Sequence, residues 1–155
     1  MQNIQNKIIK NVYQLQQQSE SCPINALIEH TSNQALKKTL PKLSILAVQV
    51  VSFIAQNDNC RSVDLANHFK VTRGAISKIM HKLIENELVN KHKASCNQKE
   101  KLFCVTAKGQ ALANLYDKEF MSLTAQQHAF MEQFNADELK TINRFLEGFY
   151  KINLK

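Results

Sequence analysis

The chain has 155 residues and a formal charge of +7 at pH 7, from 20 Lys and Arg against 13 Asp and Glu; with 44% apolar residues it reads as one globular domain, not a disordered segment. Its three glycines, Gly74, Gly109 and Gly148, leave no way to write a Gly-rich phosphate cradle or a dinucleotide-binding turn, which excludes most nucleotide-dependent enzymes. Two prolines beside so few glycines point to long helices and few tight turns.

Along the chain, Ile4, Ile8, Val12 and Leu15 make one helical stripe, and Met1 to Glu20 holds no unbroken apolar core, so no signal peptide is expected. Cys22-Pro23 ends that helix, because a residue before proline avoids the helical region, and Ile24 to Lys37 is expected as a second helix. After Pro41, Ser44 is placed to cap an apolar helix running to about Gln56. Its apolar run, Leu43 to Ala55, is too short to cross a bilayer and reads as a buried helix. Asn57-Asp58-Asn59 is a turn. Cys22, Cys60, Cys96 and Cys104 follow no paired spacing, as expected of reduced thiols in a soluble, cytoplasmic protein without a membrane partner.

Ser62 to Phe69 reads as a short helix capped by Ser62, with Asp64 in its first turn. Thr72 caps the next, Arg73 to about Asn86, and a tight Lys70-Val71 turn joins the two as a helix-turn-helix. Lys70 stands where many such turns carry glycine. At about 100° per residue, Ile76, Ile79, Met80 and Leu83 share one arc of the second helix, while Arg73, Gly74, Ser77, Lys78, His81 and Lys82 fill the opposite one. A merely solvated face would carry acids as well, yet none occurs before Glu85; a helix in the major groove needs such donors and must lack negative charge. From Val89 the hydrophobic period drops to two, giving strands Val89–Ser95 and Lys101–Thr106 around a polar turn, with Lys91, Lys93, Lys99 and Lys101 projecting. Residues 61–101 hold nine basic and four acidic side chains, whereas residues 102–155 are neutral, so the basic module is the part suited to a polyanion. A helix-turn-helix followed by a basic hairpin is a winged helix.

Leu112, Tyr116, Phe120, Leu123, Phe130 and Phe134 recur as the stripe of one long helix. Asn135 then caps another, with Glu138 three residues on and Leu139, Ile142, Phe145, Leu146, Phe149 and Ile152 as its apolar side. One small central module covers little of these stripes, which predicts pairing with a second copy of the chain. No enzyme is expected: His128 and Glu132 share a helical face, but no nucleophile is spaced to join them.

The order of elements, with Ser62 to Val89, the Lys-rich hairpin and Val105-Thr106-Ala107-Lys108-Gly109 opening the long helix, resembles the MarR family of bacterial regulators over about residues 40–150. The resemblance implies a mainly α chain with a small β-hairpin wing: a winged helix-turn-helix lobe at 43–106, flanked by helical dimerisation regions at 1–40 and 107–155. It implies a sequence-specific binder of double-stranded DNA, a repressor acting as a homodimer on an inverted-repeat operator. Ser62, Thr72, Arg73, Gly74, Ser77, Lys78, His81 and Lys82 would meet DNA on the helix-turn-helix, and Lys91, Lys93, Asn97, Lys99 and Lys101 on the wing. The family's wing motif Asp-x-Arg is Asn97-Gln98-Lys99 here, and Glu87 replaces a preferred glycine after the recognition helix.

Members of the family release DNA when a small molecule, metal or oxidant perturbs the dimer. No metal or other cofactor is expected: the five histidines form no close pair, and the His-rich start of the long helix found in the family's zinc sensors is missing from Asn114 to Met121. The expected effector is small and apolar or aromatic, between Leu43–Ile54 and Leu112–Phe120. Alternatives are thiol-based redox sensing at Cys22, as in the family's peroxide sensors, and a winged helix that binds protein rather than DNA. Cys96 and Cys104 are not opposite each other if the turn centres near Gln98, so no disulfide is expected there.

Overall fold

The computed structural model describes residues 2–18, 22–57, 59–93 and 101–153. Helices α1 (Gln2–Gln18), α2 (Cys22–His30) and α3 (Gln34–Thr39) lead through a 3₁₀ turn (Leu40–Lys42) into α4 (Ile45–Gln56). Strand β1 (Cys60–Arg61), helices α5 (Ser62–Phe69) and α6 (Arg73–Glu85), and strands β2 (Val89–Lys93) and β3 (Lys101–Val105) follow, then α7 (Ala107–Met131) and α8 (Ala136–Asn153).

Four local expectations are corrected. The helix expected over Ile24–Lys37 is two helices, because Asn33 turns extended (φ −77°, ψ 108°) and its Oδ1 accepts the N–H groups of Ala35 and Leu36 at 3.0 and 3.2 Å. A Thr-Ser-Asn run offers such side-chain acceptors in competition with the helix, and here they cap α3 instead. Pro23 does not keep the chain out of the helix; it is the second residue of α2, where a missing N–H costs nothing. Ser62 is not a cap: Arg61 holds the N-cap position of α5, and the Asp64 carboxylate accepts its backbone N–H at 3.2 Å. Phe134 lies beyond the end of α7, in the turn before α8.

The chain divides into two compact units, residues 1–119 and 120–155. In the first, Ser44 caps α4 through Ala47 N–H at 3.2 Å, and α4 is the central pillar, with Ala47, Val48, Val50, Val51 and Ile54 at or near zero exposure. Around it pack Leu27, Leu36, Leu40, Leu65, Ile76, Leu83, Leu88 and Leu112, and burying a side chain of this size is worth about 1.5–3 kcal/mol. The sheet is antiparallel, ordered β1-β3-β2, with Val89 opposite Val105 and Lys93 opposite Lys101. Its edge strand β1 pairs Cys60 with Phe103 and Arg61 with Leu102; two residues are too few to show alternation, which is why the sequence did not announce it. Cys104 faces Asn90 across the hairpin and is a free thiol, while Cys96 lies outside the described residues.

In the second unit Asn135 and Glu138 form the expected capping box: Asn135 Oδ1 accepts the N–H groups of Asp137 and Glu138, both at 3.0 Å, and Glu138 Oε2 accepts that of Asn135 at 2.8 Å. Among the described residues no helix is long and apolar enough to cross a membrane.

Candidate nucleic-acid interface

The helix-turn-helix is set by its apolar residues. Leu65 and Ala66 of α5 and Ile76, Met80 and Leu83 of α6 are buried, with Phe69, Val71 and Ile79 half-buried beside them. Between the helices Lys70 adopts a left-handed conformation (φ 52°) and ends α5, donating its backbone N–H to Ala66. The Thr72 hydroxyl accepts Ala75 N–H at 3.1 Å and starts α6. Thr72 is therefore a helix cap as well as an exposed position at the mouth of the motif.

With one arc of α6 locked into the core, the other is turned outward. Arg73, Gly74, Ser77, Lys78, His81 and Lys82 are all exposed, and no acidic residue lies among them. Among the described residues no ion pair draws on these cations; the pairs are His30–Glu119, Arg61–Asp64 and Lys140–Asp137. From Arg73 to Lys82 the face is thus a ridge of donors without an acid, a geometry matched to base edges and phosphates, and Glu85 stands only at its C-terminal end. Ser62, expected on the same surface, is half-buried at the start of α5.

The base of the wing is pinned by hydrogen bonds. The Thr106 hydroxyl donates to the Glu87 carbonyl at 2.7 Å and accepts Gly109 N–H at 3.0 Å, Thr106 N–H donates to the Leu88 carbonyl at 3.0 Å, and Lys108 Nζ donates to the Asn86 carbonyl at 2.9 Å. Glu87 makes this turn with a left-handed backbone (φ 59°), a conformation that glycine adopts more readily. From this base β2 and β3 carry Lys91 and Lys101, both exposed, on the sheet face that also bears Phe103 and Val89 nearer the core. Position 93 is the last of β2, opposite Lys101. Asn97 and Lys99 lie outside the described residues, as does the side chain of Cys22, whose backbone opens α2.

Sequence reasoning missed two features. Arg61 and Asp64 form a bidentate pair, Nε and Nη2 each 2.8 Å from a carboxylate oxygen, at the start of α5; the i, i+3 spacing was the available signal. Side chains also join α4 to α7: Ser52 Oγ donates to Asp117 Oδ1 at 2.6 Å, Gln56 Nε2 to Asp117 Oδ2 at 3.1 Å, and Gln49 Nε2 to the Tyr116 hydroxyl at 3.4 Å. Polar positions along an apolar helix hinted at such partners without naming them. Among the described residues no group of three or more His, Cys, Asp or Glu is placed to hold a metal ion.

Three comparisons bear on this arrangement. Over 151 residues the chain is 22% identical to the HTH-type transcriptional regulator PchR of Bacillus subtilis (strain 168), covering 95% of this chain and 88% of that protein. Its fold is similar to that of ZitR, a zinc-responsive MarR family member from Lactococcus lactis, with a TM-score of 0.70 and 16% identity over 96% of this chain and 97% of that one. It is similar also to ZitR in complex with DNA, with a TM-score of 0.62 and 19% identity over 70% of this chain and 74% of that one. The MarR family model matches residues 43–101, the stretch from the start of α4 to the returning strand of the hairpin. The winged helix-turn-helix of this chain is thus the part that matches the MarR family model and shares its fold with ZitR.

Proposed function

We propose that the chain is a transcriptional regulator that binds double-stranded DNA sequence-specifically as a homodimer, represses from an inverted-repeat operator and is released by a small effector. The observation that carries this reading is the exposed face of α6, free of acid from Arg73 to Lys82 and held outward by the burial of Ile76, Met80 and Leu83. PchR bears the name of a transcriptional regulator and ZitR has been solved with DNA, which supports the same reading.

In this reading α6 lies in the major groove, with Arg73 nearest its N-terminal end and Ser77, Lys78 and His81 along the base edges, while Thr72, Gly74 and Lys82 flank them and Ser62 approaches the backbone. Lys91, Lys93, Asn97, Lys99 and Lys101 put the wing against phosphates. Residues 43–106 are the DNA-binding lobe, and 1–40 with 107–155 pair the two copies. The effector is small and apolar or aromatic, and it acts where α4 meets the Leu112–Glu119 stretch of α7, disturbing the Ser52–Asp117 and Gln49–Tyr116 bonds. Work on chromosomal DNA places the protein in the cytoplasm, with no enzymatic step.

The test is footprinting on the region upstream of the gene. An inverted repeat with half-sites about one helical turn apart is the expected protected site. Arg73→Ala and Ser77→Ala should each cost about 1–3 kcal/mol of operator binding and relax preference at one base pair per half-site. Unchanged preference for operator over random duplex in both variants would remove α6 as the reader and favour a protein-binding winged helix.

A further inference from the structure

We propose that Cys104, His92 and Asn59 form a base-assisted thiol site that hydroperoxides oxidise to a sulfenic acid. The sheet register brings the three together. His92 pairs with Leu102 and Asn90 with Cys104, so the two-residue period puts His92 and Cys104 on one face as diagonal neighbours. Cys104 Sγ lies 3.8 Å from His92 Nδ1, the outer reach of a thiol hydrogen bond, and His92 Nε2 lies 2.8 Å from Asn59 Oδ1. Asn59 presents that amide from the turn before β1, with a left-handed φ of 61°. In the neutral tautomer that donates Nε2–H to this oxygen, the Nδ1 lone pair faces the thiol. Nucleophile, base and orienting group thus stand in a line, the arrangement that activates cysteine.

Cys60 supplies the contrast. It is buried, and its S–H donates to the Asn57 carbonyl at 2.9 Å, an acceptor that cannot take the proton. Cys104 is half-buried and within reach of a small reagent. In the step proposed, the thiol proton passes to His92 Nδ1 as sulfur attacks one peroxide oxygen. The S–O bond forms and the O–O bond breaks, the departing alkoxide takes the proton from His92, and an alcohol (water, from hydrogen peroxide) leaves. Sulfur is oxidised by two electrons and the hydroperoxide reduced by two.

The experiment treats the full chain with hydrogen peroxide and dimedone and follows the Cys104 peptide by mass spectrometry, with thermal melts of every variant alongside. Cys104 should be labelled faster in the native chain than in urea, while Cys60 is labelled only on unfolding. His92→Gln, which removes the ring base, should slow native labelling of Cys104 by about tenfold or more. Asn59→Gly keeps the left-handed turn while removing the orienting amide, and should slow it by a smaller factor. If His92→Gln does not fold, Asn59→Gly decides. Native labelling no faster than in urea, or unchanged by the substitutions that fold, would overturn the site.

Discussion

Single residues set the joints of this molecule, and Gly109 is the most constrained of them. It lies in the first turn of α7, where a β-carbon would stand 2.0 Å from the Leu88 carbonyl oxygen and 3.0 Å from its carbon. Both atoms are backbone, held by the Thr106 N–H bond to the same carbonyl, so neither can swing aside. Gly109→Ala should therefore destabilise by about 3 kcal/mol despite alanine's better helix propensity, read from urea denaturation midpoints. Asp64 works through charge instead. The hydrogen bonds from the Arg61 side chain hold its carboxyl below the ordinary carboxylate range, against an opposing push from burial and with help from the Arg61 N–H and positive charge. A depressed native value means that this stabilisation is complete above the ordinary carboxylate range and is lost as pH falls through the lowered one. Asp64→Asn should cost about 1 kcal/mol at neutral pH, and the gap to the parent chain should close in acid. A gap that persists in acid would assign the loss to packing.

At the scale of elements, the proposed function gives the wing and α6 different tasks. Lysine is a flexible point charge, suited to phosphate and poor at bidentate base reading, so Lys91 and Lys101 should add affinity without preference. Replacing both by Ala should weaken operator and random duplex by similar factors and flatten the log–log salt slope by about 0.9 per lost contact, measured by titration at several salt concentrations. Selective loss on the operator with an unchanged slope would make the wing a reader of sequence or shape. The two faces of α6 were legible in the sequence because a 3.6-residue period sorts apolar from basic side chains with no knowledge of the partner elements. So were the caps at Ser44, Thr72 and Asn135, which depend only on neighbours in the chain. Lys70 and Glu87 adopt the left-handed backbone that glycine favours, a conformation that neither residue type announces in the sequence. What stayed hidden was non-local or too short to show a period. Strand β1 is two residues long, the helix break at Thr31–Asn33 depends on side chains competing with the ladder, and His92 meets Cys104 and Asn59 only through strand register.

For the whole molecule, the burial of apolar surface is uneven, and the imbalance predicts the assembly. In unit 1 the core around α4, with Val48, Val50, Leu65, Leu83 and Leu88, is fully hidden, yet α1 exposes Ile4, Ile8 and Ile9. In the second unit Phe120, Leu123 and Phe130 of α7 and Ile142, Leu146 and Ile152 of α8 are all at least 40% exposed. Apolar faces this extensive are rare on chains that remain single, and at about 25 cal/mol per Å² their cover by a second copy is worth several kcal/mol. Sedimentation at micromolar concentration should give about twice the 17.7 kDa chain mass. Putting carboxylates into the stripe of α8, as Ile142→Asp with Phe145→Asp, should yield monomers, since an unpaired charge in a covered apolar face is costly. The helix-turn-helix in residues 62–85 is untouched by those changes, so the monomer should keep weak binding to a single half-site. It should lose the avidity for an inverted repeat that comes from tying two readers together, a loss that can exceed about a hundredfold. If the double variant sediments as a dimer and binds the repeat as before, α8 is not what joins the copies, and the exposed stripe of α1 becomes the face to test.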